Sequence, residues 1–400
     1  MYHRKIKAYC ILFSLVVVLS SGNYLNAQNR KETNTRISTR PFADGIGHWY
    51  NIKNEHSLVD PVPNQTRYLE SDYTKIADNI ILFQRDNGGW PKNYDMRAIL
   101  TPAQVKNVEK TKDVLYTTFD NSTTFPHIFY LAQVYTVTKI EKYKEASLRG
   151  IHFMLDAQYE NGGWPQYYPL QDNYSRHITF NDEAYMGIMN LLKKVINNDT
   201  NFQFIDKELK KKVTKSYNKG LECILTMQIE NNGTLTAWCQ QHDEINLSPA
   251  WARAFEPPSI CNKESVPVVL FLMQIDHPTE RVIKSIQGAV KWFEDSKIYN
   301  TRVETFDIEP FESKYKTVSK DRRVVVDSSA APIWTRYYEL RTGRPLFCDR
   351  NSKYLYSMSE VSVERRNGYA WYTYEPQNVL EKYPEWQKKW APTNNVLEQN

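Results

Sequence analysis

Two related phrases in this chain carry acidic side chains where a helix should begin. One is Thr118-Phe119-Asp120-Asn121-Ser122-Thr123-Thr124, and the other is Thr179-Phe180-Asn181-Asp182-Glu183-Ala184. A single Asp in such a place is ordinarily a helix cap, accepting a hydrogen bond from the first free amides. Two that converge make different chemistry. With Asn oxygens beside them they offer hard oxygen ligands for Ca²⁺, or else the acid and base of a glycoside hydrolase. Asp120, Asn121 and Asp182 are therefore the candidate metal ligands. Three arginines stand among aromatics in later loops: Arg253 in Ala252-Arg253-Ala254-Phe255-Glu256, Arg336 in Trp334-Thr335-Arg336-Tyr337-Tyr338, and Arg350 in Arg344-Pro345-Leu346-Phe347-Cys348-Asp349-Arg350. A surface ion pair is the usual role of one arginine. Three, together with two carboxylates, describe a site for a substrate that itself carries several carboxylates, because the guanidinium fork suits bidentate recognition. His242 beside Asp243 is not a triad, and no Gly-x-Ser-x-Gly phrase is present to support acyl chemistry.

The elements that must position these residues announce themselves through repetition. Gln84-Arg85-Asp86-Asn87-Gly88-Gly89-Trp90-Pro91 returns as Gln158-Tyr159-Glu160-Asn161-Gly162-Gly163-Trp164-Pro165, with a decayed third copy at Gln228-Ile229-Glu230-Asn231-Asn232-Gly233. A near-constant period means that one supersecondary unit is stacked or wound. Each copy follows an apolar-periodic stretch, and Gly-Gly-Trp-Pro ends a helix firmly. The 3.6-residue pattern predicts helices over 76–83, 123–137, 143–157, 182–196, 209–227, 266–273, 281–295 and 332–340. Helical hairpins whose polar loops share one end close as an α/α toroid or partial toroid with minor β segments. The two acids should meet at that end. Asp120 follows Gln84 by 36 residues and Asp182 follows Gln158 by 24, so they are not strict repeat equivalents.

The chain opens with Arg4, Lys5 and Lys7 ahead of an apolar run from Ala8 to Leu19, the layout of a secretory signal cleaved after Ala27. Residues 28–67 read as a flexible leader and 68–390 as one catalytic domain without linkers. An exported, periplasmic or extracellular, monomeric protein with no membrane span in its mature form is expected. Removing residues 1–27 leaves 48 basic against 46 acidic side chains, which argues against nucleic-acid binding. Cys223, Cys239, Cys261 and Cys348 show no metal-binding spacing, and disulfides and buried free thiols stay equally open. With 27 Tyr, 10 Trp and only 14 Gly the chain suits helices with a sugar-stacking groove better than a β-helix.

Taken together, the repeated Gln-x-x-Asn-Gly-Gly-Trp-Pro, Phe119-Asp120-Asn121-Ser122-Thr123-Thr124, Phe180-Asn181-Asp182, Ala252-Arg253-x-Phe255-Glu256 and Arg344-Pro345-Leu346-Phe347-x-Asp349-Arg350 resemble the polysaccharide lyase family 10 pectate lyases over roughly residues 68–360. The resemblance implies a mostly α-helical, toroid-like fold and Ca²⁺-dependent β-elimination of polygalacturonate, the pectin backbone. Asp120 and Asp182 resemble the family's calcium ligands, with Asn121 as a third. Arg253 and Arg336 resemble arginines that hold galacturonate carboxylates, and Arg350 resembles the arginine assigned as catalytic base. Cys348 stands where the family phrase has Gly. A hydrolase on an α/α toroid and a non-catalytic pectin binder remain the alternatives.

Overall fold

A computed structural model describes residues 36–52 and 58–398. Among these the helices are α1 (Ala43–Asn51), α2 (Tyr73–Phe83), α3 (Pro102–Glu109), α4 (Phe125–Thr138), α5 (Glu141–Asp156), α6 (Ala184–Ile196), α7 (Lys207–Met227), α8 (Asn262–Leu272), α9 (Glu280–Asp295), α10 (Val363–Asn367) and α11 (Gln377–Trp390). Seven of the eight helices expected from periodicity are present. They pack as two rows: α2, α5, α7 and α9 follow one another, and α4, α6, α8 and α11 run beside them. The second row is the more buried. In α6 the residues Tyr185, Met186, Ile188, Met189, Leu191 and Leu192 all face the core, which fits a helix hydrophobic on most sides.

Two side chains of the repeated loop fasten the rows. The indole Nε1 of Trp90 donates to the Ile80 carbonyl in α2, that of Trp164 to Met154 in α5, that of Trp238 to Ile224 in α7, and that of Trp334 to Phe293 in α9, all at 2.7–2.8 Å. Each bond satisfies a backbone carbonyl near a helix C-terminus, where intrahelical partners run out. The glutamine of each loop reaches the next helix of the same row. Gln84, Gln158 and Gln228 donate through Nε2 to the carbonyls of Ala146, Ser216 and Ser285, each at 2.9 Å. The third copy has thus kept its glutamine, while its tryptophan has moved to Trp238 behind the strands Glu230–Asn231 and Thr234–Leu235.

Short antiparallel strand pairs join the loop ends. Thr117–Thr118 pairs with Tyr167–Tyr168, Ile178–Thr179 with Gln241–His242, and Ile260–Cys261 with Tyr337–Tyr338. The expected helix over 332–340 is instead two strands, Trp334–Thr335 and Tyr337–Tyr338. Aromatic and β-branched residues there favour extended backbone, and partners on both sides supply the ladder. A long hairpin, Thr301–Glu312 with Thr317–Val326, was not anticipated; its register shifts between Asp307 and Phe311, around Pro310, which blurs the alternation. The stretch read as a flexible leader contributes Ile37, Phe42, Trp49 and Val59 to the main core, because these scattered apolar residues cover the first turn of the winding. Among the described residues the four cysteines, Cys223, Cys239, Cys261 and Cys348, are buried free thiols. The proposed signal at 1–27 lies outside the described residues.

Gly88 (φ +89°) and Gly162 (φ +96°) occupy the left-handed region, and each presses on the backbone of the next helix, at Arg149 and Lys219 respectively. Gly233 (φ +78°) in the third copy faces open space. Gly88→Ala or Gly162→Ala should therefore destabilise the protein by about 2–5 kcal/mol, from left-handed strain plus overpacking. Gly233→Ala carries the strain alone and should cost about 1–2 kcal/mol. Urea unfolding of the three variants checks the difference.

Candidate active site

The loops that end in tryptophan and the turns that start the buried helices converge on a cavity of about 710 Å³. Three equivalent backbone bonds align the turns: Phe119 N donates to Gln166 O, Phe180 N to Gln240 O, and Asn262 N to Arg336 O. Asp120 is thereby the counterpart of Asn181 and Lys263, and Asn121 that of Asp182 and Glu264. The phrases Phe-Asp-Asn and Phe-Asn-Asp present the same two side-chain types in swapped order. Asn121 and Ser122 (φ 50° and 52°) and Asp182 and Glu183 (φ 51° and 59°) all take the left-handed conformation. Non-glycine residues held there cost on the order of 1–3 kcal/mol each and cluster where function dictates the turn. The strain aims the acids inward rather than at the helix amides. The Asp120 oxygens take hydrogen bonds from Lys92 Nζ and from Gln166 Nε2 (2.8 Å), so the side chain is no cap.

Asp120 and Asp182 meet. Burial pushes the Asp120 carboxyl up, but the Lys92 ammonium and the hydrogen bonds from Lys92, Gln166 and Asp182 outweigh it and hold the group below its ordinary value. Burial first, then the charges of Asp120, Glu264 and Asp44, push Asp182 up to about 8. Two carboxyls this close share one negative charge unless a cation joins them. Asn181 Nδ2 donates to Asp182, and Asn121 Nδ2 donates to Asn93 Oδ1 (2.8 Å). The pair, with the Asn121 amide oxygen, forms an oxygen-rich donor set of the kind a hard divalent cation takes. A second group, His177, Asp243 and Glu244, has ligand atoms within 4.8 Å of one another. There Arg176 sits 2.8 Å from Glu244, and Asp243 accepts from the Ile245 and Asn246 amides, so it is a cross-linked loop with its charges already paired.

Arg336 is buried and donates through Nη2 to Glu264 (2.6 Å), Gln240 (2.7 Å) and Asn181 (3.2 Å), its guanidinium 4.4 Å from the Tyr369 ring centre. Arg253 donates to Glu256 through Nε (2.8 Å) and Nη2 (2.6 Å), which leaves Nη1 outside the fork. Both arginines line the cavity with Asp120, Asn121 and Asp182. Arg350 is not among the lining residues. Its guanidinium forks onto Glu364 (2.9 and 3.2 Å) and stacks 3.5 Å from the Tyr315 ring centre.

Sequence reasoning missed Lys92, Gln166, Gln240 and Glu256. The first three share one signal with Arg336: each stands two residues after a clamping tryptophan, Trp90, Trp164, Trp238 or Trp334. Once the indole is fixed to a helix end, that position turns toward the same end of the molecule: Lys92, Gln166 and Arg336 line the cavity, and Gln240 braces Arg336 and Glu256 at its wall. Lys263, the counterpart of Asp120, also lines the wall.

A family model described as pectic acid lyase matches residues 84–380. Two solved structures resemble the chain at 25 % sequence identity and a TM-score of 0.67, covering 88 % of this chain and 99 % of theirs. They are the family 10 polysaccharide lyase from Cellvibrio cellulosa and a mutant of that lyase in complex with trigalaturonic acid. No curated protein matches the sequence.

Glu256 supplies a pH test of the cavity wall. Burial raises its carboxyl, but the bonds and charge of Arg253, the charge of Arg336 and the Gln240 amide bring it down to about 2. A carboxyl depressed in the folded state stabilises above its ordinary value of 4.5 and loses that contribution as pH falls toward 2. Thermal unfolding should lose up to about 3 kcal/mol across that window from this group. Glu256→Gln should flatten the loss and be destabilised at neutral pH.

Proposed function

The chain belongs to the pectic acid lyase family, and from that premise we propose that it cleaves α-1,4-polygalacturonate by Ca²⁺-dependent β-elimination, giving 4,5-unsaturated oligogalacturonides. It is a polysaccharide lyase. The observation that carries the finer reading is the contact of Asp120 with Asp182 inside a cavity walled by Arg253, Arg336, Lys92 and Lys263. Asp120 and Asp182 act on each other as one buried like-charge pair, and a shared cation would relieve that contact.

Asp120, Asp182 and Asn121 would hold Ca²⁺, which when bound supplies positive charge opposite the substrate carboxylate and so favours loss of the neighbouring C5 proton. The protein's own residues do the rest. Arg336, pinned by Glu264 and Gln240, presents fixed positive charge to a uronate carboxylate. Lys92 holds the Asp120 carboxylate in place. The base must reach C5, and of the cavity's cations Arg253 has the most exposed side chain, at 46 % against 22 % for Lys92, 29 % for Lys263 and 5 % for Arg336. We therefore assign proton removal to Arg253 through Nη1, with Glu256 orienting the fork, and not to Arg350, which the Glu364 pair holds outside the cavity. Burial lowers the Arg253 pKa, but Glu256 and the nearby tyrosines carry it above its ordinary value. The neutral fraction is small and grows with pH, so the rate should climb through the alkaline range. The C5–H electrons form the C4–C5 double bond, the C4–O4 bond breaks, and O4 leaves with a proton from water.

No helix of the described residues is long and apolar enough to cross a membrane. The basic-apolar N-terminus supports export to the periplasm or the extracellular space, where the substrate would be pectin. We read the two helix rows as a partial toroid.

The test follows ultraviolet absorbance of the unsaturated uronide on polygalacturonate. Chelation, Asp120→Ala and Asp182→Ala should each lower the rate at least ~10²–10³-fold. Arg253→Ala should abolish turnover, with Arg253→Lys recovering little, whereas Arg350→Ala should keep kcat within a few-fold. Loss of kcat in Arg350→Ala alone would return the base to that residue, and reducing ends without absorbance would point to hydrolysis.

A further inference from the structure

The basic wall of the cavity continues onto the long hairpin. The buried ring of Phe255 carries three guanidinium groups: Arg253 at 5.0 Å from its centre, Arg365 at 4.4 Å and Arg350 at 5.3 Å. Arg350 also lies 3.5 Å from the ring centre of Tyr315, at the hairpin tip, and Lys314 Nζ lies 5.7 Å from that same ring. The tip's Lys316 reaches Gly368, where a Cβ would stand 3.0 Å from Nζ and would also meet the Arg365 guanidinium. The nearby carboxylates are each already engaged: Glu312 at the tip accepts from the Thr317 hydroxyl, and Glu364 faces Lys316 as well as Arg350. Glu256 and Glu364 are held in the Arg253 and Arg350 forks. Asp349 accepts from the Arg350 and Ser362 amides and the Ser362 hydroxyl, and Asp321 pairs with Arg366. Arg322 adds a further cation, donating to the Tyr369 carbonyl. Arg365 is almost wholly buried; its Nη2 donates to the Gly368 carbonyl, and its Nε finds no hydrogen-bond partner among the described residues. Burial holds its pKa below the ordinary value, since the charges of Arg350 and Arg253 add to desolvation against the one nearby carboxylate of Glu364.

We propose that the hairpin tip, with Tyr315, Lys316 and Arg350, is an outer subsite for a uronate of the same polymer, beyond the sugars held in the cavity. This rests on the polygalacturonate reading above. A polyuronate carries one carboxylate per sugar, so a chain leaving the cavity past Arg253 meets the exposed basic side chains of the tip, Lys314 and Lys316, beside Arg350. Arg350 sits over the Tyr315 ring, yet that side chain is 53 % exposed, leaving surface on which a sugar ring can pack. The arm is built for reach: a two-stranded ribbon fastened at its base side by the Asp321–Arg366 pair, with its tip in solvent. Its effect belongs to long substrates, because a short oligomer filling the cavity does not extend to it.

The test is the double variant Tyr315→Ala/Lys316→Ala, both exposed positions outside the core, compared with wild type on trigalacturonate and on polygalacturonate. The KM for polymer should rise roughly 3- to 10-fold, the scale of a few partly solvated contacts. The kcat on polymer and both constants on the trimer should stay within two-fold, and Lys316→Arg should behave as wild type. The rise should shrink at high salt. An unchanged polymer KM, or equal loss on trimer and polymer, overturns the subsite. Retardation of the proteins in gels containing polygalacturonate separates this from the catalytic reading. If wild type forms no unsaturated product, the lyase mechanism fails, and equal retardation of wild type and variant then overturns the subsite as well.

Discussion

The structure depends on one recurring constraint, an indole hydrogen-bonded to the end of a helix. Trp90, Trp164, Trp238 and Trp334 each plug a carbonyl near the C-terminus of α2, α5, α7 or α9 and are themselves fully buried. A buried carbonyl left open would cost on the order of 1–3 kcal/mol, so each clamp fixes where the chain goes next. Glutamines 84, 158 and 228 transmit the register to the following helix. Glycines 150 and 220 let those helices approach the Trp90 and Trp164 rings.

Chemistry then follows from position. Two residues beyond each tryptophan the chain delivers Lys92, Gln166, Gln240 or Arg336 to one end of the winding. The paired strands bring Asp120, Asn181 and Lys263 opposite them. The backbone turns alike in the first two copies, so there the difference lies in the side chains, whereas in the third Lys263 and Glu264 already belong to α8. The swap of Asp and Asn between the first two turns places one acid from each unit side by side. Neither unit could make the pair by itself, and in an unbroken repeat position 182 would be Asn, so that Asp120 would face an amide instead. The resulting like-charge contact is unfavourable in isolation. On the proposed reading, that imbalance suits the pair to a shared cation.

Much of this was legible in the chain. Periodicity located the helices because the buried row is apolar over full turns, and the repeated phrase located the loops. The turns that carry Asp120 and Asp182 could be read from their phrases, and both acids line one cavity. The tract from Trp334 to Tyr338 misled because its aromatic spacing mimics a helical face, while strand partners distant in sequence decide its form. Lys92, Gln166 and Gln240 were overlooked because a lone Lys or Gln after Trp-Pro or Trp-Cys carries no signal until the copies are superposed in space. Arg350 stands in a recognisable phrase, but its partner Glu364 lies in another element, so the pair was not legible in the sequence. Trp49 and Phe42 looked like part of a leader because short stretches around them lack a periodic face.

The central claim is that Asp120 and Asp182, from successive units, hold a single cation between them. Calorimetric titration of Ca²⁺ into the wild type, Asp120→Asn, Asp182→Asn and the double variant tests it directly. The account predicts one strong site in the wild type, lost in either single variant, with the double variant no weaker than the singles because both acids serve one ion. Two independent sites, or undiminished binding in either single variant, would contradict it.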